Sequence, residues 1–146
     1  MDPDSLARAT ADAMWAADQA SQGMGMRLIA IAAGRAEVEI TVGEHMTNGH
    51  GQCHGGFIFA LADSAFGFAC NSHNHRAVAQ HCAITYIAPA RQGDILRAEA
   101  IEQSRHGRSA VTDVRVTRGD GTLIALFRGH SRQIAGVVVA GASAAG

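Results

Sequence analysis

One acidic residue, Asp63, stands in the most apolar segment of the chain, GGFIFALADSAFGFAC at residues 55–70. This segment contains no basic residue that would pair with its charge. An ionised carboxylate is costly to bury without a partner. Poorly solvated carboxylates also serve as catalytic acids or bases, because desolvation changes their proton affinity. Asp63 is therefore either solvated through a gap or bound to a neighbouring loop, or it is catalytic.

The residues just before this segment favour the catalytic interpretation. His54, Gly55 and Gly56 come where a helix would begin, and the first N–H groups of a helix have no partner within it. Free N–H groups at the positive end of a helix stabilise a developing oxyanion. Gly55 is the predicted donor, and glycine lets a carbonyl approach closely. His54 either supports catalysis or only packs and hydrogen-bonds at the helix start.

The spacing of these two groups predicts an oligomer. Eight residues separate Gly55 from Asp63, which is about 12 Å along a helix. One carbonyl cannot touch both groups of one chain. If two central helices lie side by side and antiparallel, Gly55 of one copy meets Asp63 of the other, so we expect a dimer with two shared sites.

A metal site and a thiol nucleophile are the alternative chemistries. His50 and His54 have a spacing that zinc ligands use, but Cys53 is adjacent to His54 and His81 to Cys82, and adjacent side chains point apart. For the same reason Cys53 is a poor partner for His54 as a nucleophile. We therefore predict neither a metal nor another cofactor.

Composition excludes several classes of protein. The chain has 146 residues, 47% of them apolar, and a net charge of −1. All 12 basic residues are arginines spread along the sequence, whereas a nucleic-acid-binding protein usually concentrates its basic residues. The acidic N-terminus does not resemble a signal peptide, and no apolar run is long enough for a membrane span. Three cysteines, an odd number, indicate free thiols and a cytoplasmic location.

The order of elements predicts the fold. A helix over residues 3–19 precedes two strands with a turn near Gly34, and the apolar helix at 55–70 follows a loop at 43–53. Three strand-like runs come next, and a fourth follows the turn RGDG at 118–121. Strands on both sides of a helix that is apolar all round indicate an α+β protein, in which a curved antiparallel sheet wraps around a buried central helix. This is the hotdog fold. We expect one domain at 1–135 and a flexible tail at 136–146.

The segment NGHGQCHGGFIFALADSAFGFACNS, at residues 48–72, closely resembles the hotdog acyl-CoA thioesterases of the phenylacetate-degradation (PaaI) type. ITYIAP at 84–89 and ALFRG at 125–129 extend this resemblance over roughly residues 10–135. It implies that Asp63, as nucleophile or as base for water, attacks the thioester, and that the Gly55 N–H polarises its carbonyl. Asn48 matches the asparagine that positions the water or the thioester, and His54 matches the histidine of the motif.

The resemblance implies a substrate and an assembly. The substrate would be phenylacetyl-CoA or hydroxyphenylacetyl-CoA, and dimers would pair into a homotetramer. The alternative is a non-catalytic acyl-CoA-binding module, which would normally carry an effector domain.

Coenzyme A phosphates need cations. Arg105, Arg108 and Ser109 surround Gly107, and arginine suits phosphate oxygens; a solvated hairpin end is the alternative. The family has a basic residue after this glycine, at the position of Arg108.

Overall fold

The computed structural model describes residues 1–145, in which six antiparallel strands form one sheet against a long central helix. In chain order the elements are α1 (Pro3–Ala17), α2 (Gln19–Gly23), β1 (Arg27–Ala32), β2 (Arg35–Thr41), a 3-10 turn (Glu44–Met46), α3 (Gly55–Cys70), β3 (Ala77–Tyr86), β4 (Ile95–His106), β5 (Ser109–Arg118) and β6 (Leu123–Gln133). The predicted α+β hotdog fold is confirmed.

Helix α3 forms the centre of the hydrophobic core. Leu61, Phe66 and Phe68 on this helix are almost completely buried, and each such side chain contributes roughly 1.5–3 kcal/mol when it leaves water. The ring of Phe66 lies so close to β6 that a Cβ added to Gly129 would be 2.5 Å from its Cε1 atom. Only glycine at this position lets the helix approach the sheet so closely. Within residues 1–145, no helix is both long and apolar enough to cross a membrane.

The strand order places β3 at an edge of the sheet. The order is β1-β2-β4-β5-β6-β3. Helix α3 connects β2, next to one edge of the sheet, to β3, which forms the opposite edge. Strand β3 pairs with β6, with Cys82 opposite Gly129 and Tyr86 opposite Ala125. Its other edge has no strand partner among the described residues.

The N-terminal helix is shorter than the sequence predicts. Helix α1 ends at Ala17, and α2 begins at Gln19 after Asp18. The carboxylate of Asp18 accepts hydrogen bonds from the backbone N–H of Ser21 at 2.9 Å and from its hydroxyl at 2.6 Å. An aspartate that caps a new helix start competes with continuation of the old helix, so one predicted helix becomes two.

The C-terminal segment, predicted to be flexible over 136–146, lies against the loop that joins α3 to β3. Asn74 in this loop is fully buried and adopts φ 64°. Its side-chain oxygen accepts from the N–H groups of Val138 at 3.0 Å and Val139 at 2.8 Å, and its amide donates to the carbonyls of Val139 and Ala142. Residues 136–145 are thus attached to the domain in the structure; residue 146 lies outside the described residues.

Candidate active site

A tight loop positions the start of α3. The side-chain oxygen of Asn48 accepts hydrogen bonds from the N–H groups of His50 at 2.9 Å and Gln52 at 3.2 Å. The backbone of Asn48 also pairs with Gln52, and Gly51 adopts φ 73° in this turn. Because its oxygen holds the loop, Asn48 keeps its amide group available as a donor.

His54 caps the helix. Its Nδ1 atom accepts a hydrogen bond of 2.9 Å from the N–H of Gly56, so the ring carries its proton on Nε2. Its carbonyl accepts from the N–H of Phe57 at 3.0 Å. Of the first-turn N–H groups at 55–57, only that of Gly55 has no acceptor among residues 1–145. The predicted donor is therefore available.

Tyr86 on β3 contacts the start of the helix, and the sequence did not predict this contact. Its hydroxyl donates to the carbonyl of Gly55 at 2.9 Å. Its ring lies against the same residue, because a Cβ added at Gly55 would be 2.9 Å from the Tyr86 Cζ atom. Gly55 is thus needed to admit this ring, a reason the sequence does not reveal. The segment ITYIAP was part of the family pattern, but nothing in it indicated this contact.

A groove opens beside the helix start. It has a volume of about 470 Å³, and its lining includes Asn48, Gly55, Ile58, Tyr86 and Ile87. The structure therefore brings together two of the predicted catalytic residues. A groove of about 450 Å³ on the outer face of the sheet, lined by Arg115 and Leu126 among others, contains none of them.

Asp63 lies further along the same helix and does not line the groove at Gly55. It is half-buried and has no hydrogen-bond partner within residues 1–145. Burial raises the pKa of its carboxyl group. Burial, with the negative charge of Asp63 as a further cause, raises the pKa of the Cys82 thiol on β3. The charge of Asp63 thus reaches Cys82 on the edge strand, and it also reaches Cys70 at the end of its own helix.

The predicted phosphate ligands lie near the other end of β3. Arg105 lines a groove of about 320 Å³ together with His75, Gly107 and Gln133. Arg108 and Ser109 are exposed at the adjoining hairpin but do not line this groove. The structure thus places the three predicted residues at one hairpin and only Arg105 in the concave surface.

Cys53, the candidate thiol nucleophile, is protonated in this environment. Burial is the main cause that raises the pKa of Cys53, and the charge of Asp94 adds to it, so the thiol stays protonated and is a poor nucleophile. Among residues 1–145, no three His, Cys, Asp or Glu side chains converge as a metal site would require.

Known proteins share this fold and sequence pattern. Residues 50–125 match the family model of the thioesterase superfamily. The chain is 39% identical to acyl-coenzyme A thioesterase PaaI of Escherichia coli over 128 residues, which are 88% of this chain and 91% of that protein. A structure of the E. coli PaaI protein from the phenylacetic acid degradation operon matches with a TM-score of 0.92 at 38% identity, covering 93% of this chain and 99% of that one. A point mutant of the phenylacetic acid degradation protein PaaI from Thermus thermophilus matches with a TM-score of 0.78 at 36% identity, covering 80% and 100%.

The raised pKa of Asp63 predicts how stability depends on pH. The folded chain keeps this proton to higher pH than the unfolded chain does, so stability is lost as the pH rises through the folded pKa. Asp63→Asn removes that loss and should raise Tm at pH 7, but not at about pH 3, where the carboxyl is protonated in both states.

Asp113 provides a control of opposite sign, because its hydrogen bond with Arg128 lowers its pKa. This carboxylate stabilises the fold above its unfolded pKa, so Asp113→Asn should lower Tm at pH 7. Thermal unfolding at both pH values tests the pair. A lower Tm for Asp63→Asn than for the native chain at pH 7 would contradict the assignment.

Proposed function

The chain belongs to the thioesterase superfamily and is a thioester hydrolase, and from this premise we propose that it cleaves phenylacetyl-CoA or hydroxyphenylacetyl-CoA to the free acid and coenzyme A. One observation carries the proposal. Within residues 1–145, the N–H of Gly55 and the carboxylate of Asp63 have no hydrogen-bond partner, and both residues lie near the edge strand β3, Gly55 through its contact with Tyr86 and Asp63 through its charge on Cys82.

In the proposed reaction, the thioester carbonyl accepts a hydrogen bond from the Gly55 N–H, which stabilises the oxyanion as it forms. The amide of Asn48 is a second donor at the same groove. Asp63 acts in one of two ways. As a base it takes a proton from water, whose oxygen adds to the carbonyl carbon; the C–S bond then breaks and the thiolate takes up the proton. As a nucleophile, its oxygen adds to the carbonyl carbon and the C–S bond breaks, so that a mixed anhydride forms and coenzyme A leaves as the thiolate. Water then hydrolyses the anhydride to the free acid and Asp63, and the thiolate takes up the proton that this releases.

The edge strand supports an assembly with shared sites. Strand β3 has ten residues, and its surroundings expose the large apolar side chains of Val78 at 46%, Tyr86 at 50% and Ile87 at 51%. A long exposed apolar edge is a template for pairing with another strand. We propose that β3 pairs with β3 of a second copy, so that the sheet continues across the dimer.

A two-fold axis near Ile84 would align the catalytic groups. The hydrogen bond of Tyr86 places Gly55 at the level of Tyr86 on β3. We place Asp63 near the level of Cys82, because burial and the charge of Asp63 raise the pKa of that thiol. Antiparallel pairing centred at Ile84 sets Cys82 of one copy opposite Tyr86 of the other. The same operation sets Asp63 opposite Gly55 of the second copy, and the two sites are equivalent by symmetry.

The groove supports an aromatic acyl group. Ile58, Ile87 and Pro89 provide apolar walls beside the ring of Tyr86, and aromatic rings favour such contacts. The phosphates of coenzyme A would reach the groove of Arg105 and the hairpin of Arg108, which lie on the Asp63 side of the chain. A tetramer made of two such dimers and a cytoplasmic location complete the proposal, supported by the family resemblance and by three free thiols.

A thiol-release assay tests the proposed function. Asp63→Asn should reduce kcat on phenylacetyl-CoA by roughly 100-fold or more, because a general base contributes about that much. Binding of the substrate should persist, as measured by calorimetry with the inactive variant. Benzoyl-CoA and straight-chain acyl-CoA serve as comparison substrates. Turnover by Asp63→Asn within a few-fold of the native enzyme would show that Asp63 is structural.

Mixed oligomers test the shared site. Gly55→Pro removes the N–H donor, and proline is tolerated at the first position of a helix. A heterodimer of this variant with Asp63→Asn gathers both lesions in one site and leaves the other intact. Co-expressed mixtures should therefore regain activity, up to about one site per heterodimer.

The matched control is Gly55→Ala. It also displaces the ring of Tyr86 but keeps the N–H group, so its homodimer should retain more activity than that of Gly55→Pro. Circular dichroism and size-exclusion chromatography first confirm that each variant folds and assembles. Folded mixed oligomers without activity would refute the shared site.

The nucleotide contacts should affect binding more than chemistry. Arg105→Ala and Arg108→Ala should each raise KM for CoA thioesters with little change in kcat, because the phosphates lie far from the bond that breaks. A pantetheine thioester, which lacks those phosphates, should be unaffected. Arg27→Ala, on the opposite edge strand β1, is the control. An equal rise in KM for the CoA thioester and for the pantetheine thioester would show that these arginines do not bind the nucleotide.

A further inference from the structure

Two side chains hold opposite ends of the peptide group that joins Gly55 to Gly56. The hydroxyl of Tyr86 donates to its carbonyl oxygen at 2.9 Å, and Nδ1 of His54 accepts from its N–H at 2.9 Å. The two residues come from different elements, His54 from the loop before α3 and Tyr86 from the last position of β3. This peptide is therefore fixed from two directions at the exposed start of the helix.

Without this restraint, the peptide group between Gly55 and Gly56 would have unusual conformational freedom. Two consecutive glycines have more backbone freedom than any other pair, and helix ends fray more readily than helix interiors. The N–H of Gly55 belongs to the adjoining peptide group, so its direction depends on the torsions of Gly55. An oxyanion donor is effective only if it is aimed before the reaction begins.

We propose that Tyr86 is a positioning residue that, together with His54, aims the Gly55 N–H at the thioester carbonyl. This inference rests on the proposed function, in which that N–H is the oxyanion donor. The tyrosine hydroxyl has a single proton, which it donates to the Gly55 carbonyl, so it does not itself serve as an oxyanion donor. The contact between its ring and the Cα of Gly55 adds a steric restraint to the hydrogen bond.

Because Tyr86 is partly exposed, its positioning role can be tested apart from any contribution to the stability of the fold. The side chain is half-exposed in the chain, and the Gly55 carbonyl is already an acceptor within the helix, so loss of the hydroxyl leaves no buried polar group without a partner. Removal of the hydroxyl alone should therefore change the aim of the donor more than the stability of the fold.

Tyr86→Phe removes the hydroxyl and keeps the ring. We expect kcat on the best acyl-CoA substrate to fall about 3- to 10-fold, the size of one net hydrogen bond, with KM changed less than twofold. Thr85→Val is the matched control, since it removes the hydroxyl of the neighbouring residue, which faces the outer side of the sheet; its kcat and KM should stay within twofold of the native values. Tyr86→Leu removes the ring as well, and should lower kcat further and raise KM, because the ring lines the groove.

Amide hydrogen exchange measured by NMR gives a reading that does not depend on the substrate. Exchange at Gly56, protected by His54 in the native chain, should become faster in Tyr86→Phe and stay unchanged in Thr85→Val. This result supports the positioning role even if another thioester proves to be the substrate, in which case only the proposed function fails. Unchanged exchange, a kcat of Tyr86→Phe within twofold of Thr85→Val, or a loss of activity explained by a lower Tm would each overturn the inference.

Discussion

The burial of helix α3 against the sheet is the constraint on which the rest of the structure depends. The helix is apolar on nearly every side, so it is stable only when the strands cover most of its surface. The helix packs mainly against β2, β4 and β5, and Gly129 on β6 leaves room for the ring of Phe66. The edge strand β3 packs less extensively against the helix than β2, β4 and β5 do, and its Tyr86 contacts Gly55 at the helix start. The same packing that forms the core therefore leaves the start of α3, with the proposed donor Gly55, beside the edge of the sheet.

This arrangement is the reason that the proposed reaction requires two copies of the chain. A helix cannot bring two of its own residues together when two turns separate them. The edge strand that runs beside both residues is, however, open to a second strand. In the proposed dimer, continuation of the sheet satisfies the free edge, covers its apolar side chains and completes both sites. Assembly and catalysis would then follow from one interaction.

Local environment gives chemically identical groups different roles. Asp63 and Asp113 are both aspartates, but burial without a partner raises the pKa of Asp63, and a hydrogen bond with Arg128 lowers that of Asp113. The second is a surface ion pair, which typically contributes little. The first is a carboxylate whose desolvation makes it a stronger base. Its charge also helps to keep the neighbouring Cys82 protonated, which leaves the carboxylate as the stronger nucleophile and base of the two.

The sequence alone determined the limits of α3, the strand runs and the separation of Gly55 from Asp63, because hydrophobic periodicity, glycine turns and helix geometry are local properties. It did not predict the break at Asp18, where two local signals compete, nor which arginine lines the groove near the hairpin. The contact of Tyr86 with Gly55 spans 31 residues, and that of Asn74 with Val139 spans 65. Only the tertiary structure decided these contacts, since each depends on which strand lies at the sheet edge and on where the chain returns, and no local pattern of residues specifies that.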